Sequence, residues 1–138
     1  MAGDARLGSV VMFVQELDRS VAFYQDILGL ELVDRDPTAA LLASPAGSQL
    51  ILRAMGGNAT HPLGGVGVQY VIWSAAGQED LDRCEQALKR RLAHRETRTA
   101  EGSTAVEGRD PDDVVVLVTY PGPDQAPMHR LPARIYGW

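Results

Sequence analysis

An internal repeat is the feature of this sequence that most constrains its fold. The tripeptide Leu-Asp-Arg at positions 17–19 recurs at positions 81–83, and Leu28 is matched by Leu92 at the same offset. Each copy opens a stretch with apolar residues at helical spacing, and each follows an apolar run typical of a strand. The first helix is expected to end at Gly29, because glycine commonly terminates helices. The second is predicted over residues 80–93, with Leu81, Cys84, Leu88 and Leu92 on one face.

Three short strand-like runs, separated by turn residues, follow each predicted helix. The first half has turns at Asp36-Pro37 and at 45–47, and the second half has turns at Glu101-Gly102 and at 110–113. Each half is therefore predicted to have the order β-α-β-β-β, over about residues 7–55 and 66–119. A glycine-rich connector at 56–65 joins these modules, and residues 121–138 form a proline-punctuated tail. Residues 1–138 are interpreted as a single domain of two modules.

Composition excludes several classes of protein. The chain has 13 Lys and Arg against 18 Asp and Glu, for a formal net charge of −5. Such a balance does not favour contact with a phosphate backbone, so no nucleic-acid partner is expected. The single cysteine cannot form an internal disulfide. Because neither a signal peptide nor a membrane-spanning apolar stretch is evident, the sequence predicts a soluble cytoplasmic protein with no membrane partner.

One segment of the sequence resembles a known family. The segment LDRSVAFYQDILGL at 17–30, with Asp-Pro-Asp at 110–112, resembles the vicinal oxygen chelate superfamily. That family includes glyoxalases, extradiol dioxygenases, and fosfomycin- and bleomycin-resistance proteins. The resemblance covers roughly residues 7–119. It implies an α+β fold in which two βαβββ modules form cupped mixed sheets around a cavity, usually in a homodimer.

In the family's enzymes, the resemblance implies a divalent metal held by His or Glu from the first strand of each half and a carboxylate from the fourth. The matching positions here are Ser9, Ile51, Leu117 and Gln69, with Val68 replacing Gln69 if the register slips by one. None is a usual ligand for a catalytic divalent ion. The four strands that would carry these ligands are predicted at 10–14, 50–54, 67–73 and 114–119, and none of them contains His, Asp or Glu. The sequence therefore predicts no metal site and no other cofactor.

A cavity without metal ligands is suited to an organic molecule held by burial and stacking. Strand alternation predicts an inward face. Its members are Ser9, Val11, Phe13, Gln49, Ile51, Arg53, Gln69, Val71, Trp73, Val115, Leu117 and Thr119. The intervening residues, almost all apolar, are expected to pack under the helices. No catalytic residue is assigned, and the ligand-binding candidates are Ser9, Phe13, Ile51, Arg53, Gln69, Trp73, Glu107 and Leu117.

Several candidates allow two interpretations. Trp73 is either a stacking surface for a planar ligand or core packing between sheet and helix. Arg53 either pairs with a ligand carboxylate or carbonyl or lies at the sheet rim. Glu101 and Glu107, predicted on edge strands, either meet a cationic ligand or face solvent. Cys84 matches Ser20 in the repeat and is expected to be a small buried residue. The apolar end of the tail either docks on a partner chain or over the cavity mouth, or is disordered.

Three functions remain open at this level. The leading one is a metal-free, bleomycin-resistance-like homodimer that sequesters an aromatic natural product or antibiotic and so confers drug resistance. The alternative is a metal-independent isomerase, lyase or cyclase of natural-product metabolism, with Glu107, Arg53 or Gln69 as polar participants. The third, a metal-dependent lyase or dioxygenase, is disfavoured by the residues at the family's metal positions.

Overall fold

Each half of the chain forms a four-stranded mixed sheet with one helix on one face. The structure, a computed structural model, describes residue 3, residues 5–59 and residues 65–126. Two compact units divide the chain, Met1–Thr60 and His61–Trp138. The predicted α+β class and the order β-α-β-β-β in each half are confirmed. The C-terminal tail, for which docking or disorder was expected, lies mostly outside the described residues.

The first unit begins with a strand and continues through a helix and three further strands. These are β1 (Ser9–Val14), α1 (Leu17–Leu28), β2 (Glu31–Arg35), β3 (Ala39–Ala43) and β4 (Gln49–Ala54). The strand order across the sheet is β1-β4-β3-β2, with β1 parallel to β4 and the other pairs antiparallel. The first and last strands of the module are therefore neighbours in the sheet, and β1 and β2 are its edge strands.

Helix α1 packs its apolar face against one side of this sheet. Tyr24 and Ile27 of the helix are buried with Leu42, Leu50 and Leu52 of the strands. The helix ends as predicted, because Gly29 adopts the left-handed conformation (φ 67°) and its N–H donates to the carbonyl of Gln25. Alternate residues of the strands therefore pack against the helix, and the residues between them lie on the opposite face of the sheet.

The second unit repeats this arrangement. Its elements are β5 (Tyr70–Ser74), α2 (Gln78–Arg90), β6 (His94–Ala100), β7 (Ser103–Arg109) and β8 (Val115–Tyr120). The strand order is β5-β8-β7-β6, with β5 parallel to β8. No helix in the described part of the chain is long and apolar enough to cross a membrane.

A glycine on β7 brings α2 close to the second sheet. A Cβ built on Gly108 would lie 2.7 Å from Leu88 Cδ2 and 2.8 Å from the carbonyl oxygen of Ala93. Leu81, Cys84 and Leu88 of α2 are buried, as the periodicity predicts. The prediction for Leu92 is wrong, because α2 ends at Arg90 and Leu92 is 93% exposed with a φ of 55°. The chain must turn there to enter β6, so the last periodic leucine lies outside the helix.

Candidate functional site

The face of the first sheet turned away from α1, here the helix-free face of the first sheet, holds four predicted ligand-binding residues. In the β1–β4 register, Val11 pairs with Ile51 and Phe13 pairs with Arg53, while Ser9 lies two residues before Val11. Val11 and Phe13 are each 59% exposed, and Ile51 is half-buried. The structure therefore brings Ser9, Phe13, Ile51 and Arg53 to one face, as strand alternation predicts. Their role in ligand binding stays a prediction.

This face has an apolar centre and polar ends. Leu41 of β3 pairs with Ile51, so Val11, Ile51 and Leu41 form an apolar row across three strands. The row before it contains Ser9 and Gln49, and the row after it contains Phe13 and Arg53. Apolar side chains with a small number of polar groups are the usual composition of the lining of a small-molecule site.

On this face, the charged side chain of Arg53 lies over the aromatic ring of Phe13. The central guanidinium carbon of Arg53 is 6.0 Å from the centroid of the Phe13 ring. A guanidinium over an aromatic face is attracted by the ring quadrupole, and both groups are planar surfaces for stacking. Arg53 itself is exposed. The pair therefore offers a stacking surface and hydrogen-bond donors together.

The helix-free face of the second sheet can be identified once the residues that pack under α2 are known. Because Gly108 lies beneath Leu88, Gly108 and its partner Val116 belong to the helix side. The other side is therefore the helix-free face. Cross-strand register arranges it in rows, which are Tyr70, Val115 and Arg109, then Ile72, Leu117 and Glu107, then Ser74, Thr119 and Ala105.

This register corrects the prediction for Trp73. Trp73 pairs with Val118 and Val71 pairs with Val116, so Trp73 and Val71 lie on the helix side and not beside Leu117. Ile72 is the residue of β5 that lies beside Leu117. A shift of one residue in pairing exchanges the two faces of a strand. For Trp73, the interpretation as packing on the helix side of the sheet agrees with its position.

Three other predictions for this unit have different outcomes. Gln69 precedes β5, and its side-chain amide donates to the carbonyls of Gly65 (2.6 Å) and Gly67 (3.1 Å), so it stabilises the local loop. Glu107 is half-buried on the helix-free face beside Leu117. The expectation that Glu101 and Glu107 lie on edge strands is wrong. Strand β7 lies between β8 and β6, and Glu101 is in the turn between β6 and β7.

The positions that match the family's metal ligands do not fit a divalent ion. Ser9, Ile51 and Leu117 offer a hydroxyl and two alkyl groups, and the amide of Gln69 is engaged by its own loop. Val68 is an exposed alkyl side chain. Among the described residues, no group of three His, Cys, Asp or Glu side chains is placed to hold a metal ion. The donor chemistry that imidazole and carboxylate would supply is missing at these positions.

The single thiol is equally unsuited to chemistry. Cys84 is buried under the second sheet, and desolvation raises the pKa of its thiol to about 11. Neighbouring charges oppose each other, because Arg83 lowers this pKa and Asp80 raises it. The thiolate, which is the reactive form, is therefore scarce near neutral pH. The prediction of a small buried residue at this position agrees with its burial.

Comparisons with known proteins agree with this architecture. Residues 6–118 match the model of the Glyoxalase/Bleomycin resistance protein/Dioxygenase superfamily. No curated protein matches the chain at a significant level. A glyoxylase/bleomycin resistance protein/dioxygenase domain from Frankia sp. EAN1pec is 22% identical at a TM-score of 0.74, and the match covers 85% of this chain and 98% of that chain.

Two further solved structures are similar. A lactoylglutathione lyase from Agrobacterium tumefaciens is 22% identical with a TM-score of 0.66, covering 86% of this chain and 95% of that chain. A glyoxalase/dioxygenase from Nostoc punctiforme is 18% identical with a TM-score of 0.71, covering 83% and 89%. At these identities the likeness concerns the fold. One fold supports many chemistries, so the activity must be argued from the site.

Proposed function

Because the chain belongs to the Glyoxalase/Bleomycin resistance protein/Dioxygenase superfamily, we propose that it is a member that binds a small aromatic molecule without a metal ion. Its proposed role is to sequester a planar natural product or antibiotic and thereby to protect the cell. The homodimer and the cytoplasmic location expected from the sequence are part of this proposal.

The observation that carries the proposal is the helix-free face of the first sheet. Val11 and Phe13 are each 59% exposed there, around a half-buried Ile51. Exposed apolar surface of this kind is costly in water and commonly marks a binding site. Phe13 and Arg53 would stack on or hydrogen-bond to a planar ligand, and Ser9 would supply a hydroxyl at the other end of the face.

The metal-independent part of the proposal rests on donor chemistry. A divalent ion in this family would need imidazole or carboxylate ligands, whereas Ser9, Ile51 and Leu117 occupy those positions. Leu117 is buried on the second sheet beside the half-buried Glu107. For the second sheet, considered by itself, the proposal is that Leu117 makes an apolar contact and Glu107 a polar contact with a ligand on its helix-free face. The proposal does not include Trp73, which lies on the helix side of the second sheet. It does not include Gln69 either, because the side-chain amide of Gln69 is bound to its own loop.

A second candidate function is favoured by one residue. Glu107 is a half-buried carboxylate in the same row as Ile72 and Leu117. General acid–base catalysis needs such a group within reach of the substrate. The chain would then be a metal-independent isomerase, lyase or cyclase acting on a similar molecule.

Calorimetric titration in the presence of a chelator tests the proposal. Planar aromatic natural products are titrated into the protein, and the ligand is then recovered and analysed by chromatography. Sequestration predicts saturable binding and unchanged ligand. Conversion of the ligand that is lost in Glu107→Gln would support the enzyme instead. Failure of every planar compound to bind would contradict both.

A further inference from the structure

The helix-free face of the second sheet is buried, although α2 packs on the opposite face. Leu117 on this face is 7% exposed, and its neighbour Ile72 is half-buried. At the matching positions of the first sheet, Ile51 is half-buried and Val11 is 59% exposed. Because the two modules share one topology, this difference in burial points to a segment outside the repeat that covers the second sheet.

The segment after β8 is held at one end of this face. The hydroxyl of Ser74, which lies in the last row of the face, donates to the carboxylate of Asp124. The side-chain amide of Gln125 donates to the carbonyl oxygen of Ala75 at 3.2 Å. Gly122 makes this close approach possible, because a Cβ at its position would collide with the Ser74 side chain. The chain beyond β8 is therefore anchored beside the helix-free face.

Residues 127–138, here called the distal tail, follow this anchor in the sequence and lie outside the described residues. The distal tail combines apolar and aromatic residues with arginines and has no acidic side chain. Its large apolar and aromatic residues beyond the first proline are Leu131, Ile135, Tyr136 and Trp138. Side chains of this kind gain stability by leaving water for an apolar surface.

The distal tail is long enough to cross the face from its anchor. The rows from Ser74 to Tyr70 span four residues of β5, which is about 13 Å. An extended chain covers about 3.3 Å per residue, so less than half of the distal tail is needed to cross all of the rows.

The charges of the face and of the distal tail are complementary. Glu107 places a half-buried carboxylate on the helix-free face. Arg109, on the same face of β7, interacts with Asp113, to whose carbonyl oxygen its Nη1 donates at 3.2 Å. A carboxylate that is partly removed from water is stabilised by a nearby cation, and the arginines of the distal tail can supply one.

We propose that the distal tail packs on the helix-free face of the second sheet within its own chain, with its apolar residues over Ile72 and Leu117 and an arginine beside Glu107. The second sheet and the distal tail belong to the same unit, His61–Trp138. This packing requires no ligand, so the inference does not rest on the proposed function. A ligand that contacts Leu117 and Glu107 must displace the distal tail, which therefore controls access to this face.

Hydroxyl-radical footprinting of the wild-type chain tests the proposal. Peptide mass spectrometry reports the modification of Trp138 separately from that of Trp73, and the same chain in urea gives the rate for an exposed side chain. Trp138 is expected to be modified severalfold more slowly in the native protein than in urea, at every protein concentration. Modification at the rate seen in urea would overturn the proposal. Protection that disappears on dilution would also overturn it, because the distal tail would then lie on a second copy.

A pair of variants identifies the face that is covered. Leu117→Ser weakens the apolar surface of the second sheet and is expected to bring the modification of Trp138 close to the rate in urea. Ile51→Ser is the matched control, because Ile51 has the same position in the first sheet, and it should leave Trp138 protected. Thermal melting shows whether both variants are folded. Equal protection of Trp138 in the two folded variants would overturn the assignment to the second sheet.

A second pair of variants tests the charge contact at a less buried position. Glu107→Lys places a cation against the arginines of the distal tail and is expected to speed the modification of Trp138 severalfold, because like charges repel. Glu101→Lys is the matched control, since Glu101 is exposed in the turn between β6 and β7. Unchanged protection of Trp138 in folded Glu107→Lys would overturn the contact between the distal tail and this face.

Discussion

Arg53 and Phe13 are cross-strand neighbours on the helix-free face of the first sheet, with the guanidinium carbon 6.0 Å from the ring centroid. The two residues come from β4 and β1, the parallel pair formed by the last and first strands of the module. Neither side chain is needed to cover the core, because the helix side of both strands is filled by other residues. Both side chains are exposed on the face that the proposal assigns to the ligand.

Phe13→Ala should weaken the binding of a planar aromatic ligand without destabilising the fold. Aromatic stacking contributes about 0.5–1.5 kcal/mol beyond area burial, so the dissociation constant should rise at least about two- to twelvefold. Val33→Ala is the matched control, because Val33 is 58% exposed at the bulge between β2 and β3. Calorimetric titration and thermal melting of both variants check this. An equal loss of affinity in the two variants would contradict a specific role for Phe13.

Gly108→Ala should destabilise the protein by about 1–3 kcal/mol, the usual cost of overpacking a core. The added methyl would lie 2.8 Å from the backbone oxygen of Ala93, and backbone cannot move aside as the Leu88 side chain can. Gly57→Ala is the control, since nothing lies within 4 Å of a Cβ there. Urea denaturation measures both. A free energy of unfolding unchanged by Gly108→Ala would show that α2 does not pack this closely on β7.

Asp36 gives the β2–β3 turn a pH-dependent stability. Hydrogen bonds from the backbone N–H groups of Thr38 and Ala39, and then from the Thr38 hydroxyl, lower the pKa of the Asp36 carboxyl below its ordinary value of 3.8. A lowered folded-state pKa means that this contribution is present above pH 3.8 and is lost as pH falls through the folded-state value.

The difference in stability between wild type and Asp36→Ala should therefore be constant near neutral pH and shrink below about pH 4. Denaturation at a series of pH values measures it. Thr38→Val is the control, because it removes the hydroxyl and keeps both backbone donors. A difference between wild type and Asp36→Ala that persists unchanged at pH 2–3 would contradict the assigned hydrogen bonds.

The Cys84 thiol should react slowly in the folded protein. Its pKa is raised from 9.0 to about 11, which lowers the thiolate fraction at pH 8 about a hundredfold. An aromatic disulfide reagent should therefore label the native protein at least a hundredfold more slowly than the protein in urea. The stability associated with this thiol is present below pH 9 and is lost as pH rises towards 11. Equal labelling rates with and without urea would contradict the burial of Cys84.

The repeat made the fold predictable, and the polar residues of β1 and β4 made the two faces of the first sheet predictable. In β1 and β4, the polar residues Ser9, Gln49 and Arg53 break the apolar pattern on one face only, so alternation has one consistent solution. The predicted faces of these strands agree with the structure.

The second sheet could not be assigned in the same way. The first four residues of strand β5 are Tyr, Val, Ile and Trp, an apolar or aromatic run in which periodicity does not distinguish the two faces. Its register is set by pairing with β8, a contact between residues distant in the sequence. For the same reason the sequence does not predict that Tyr70 and Arg109 lie in one row, since cross-strand pairing through Val115 brings them together.

Native mass spectrometry of the wild-type protein with a bound planar aromatic ligand tests the central claim most directly. Spectra are recorded after purification without chelator and again after adding excess Zn²⁺ or Mn²⁺. The account predicts a complex whose mass equals protein plus ligand, with the same ligand occupancy whether or not metal is added. Ligand binding that appears only together with a stoichiometric divalent ion would contradict it.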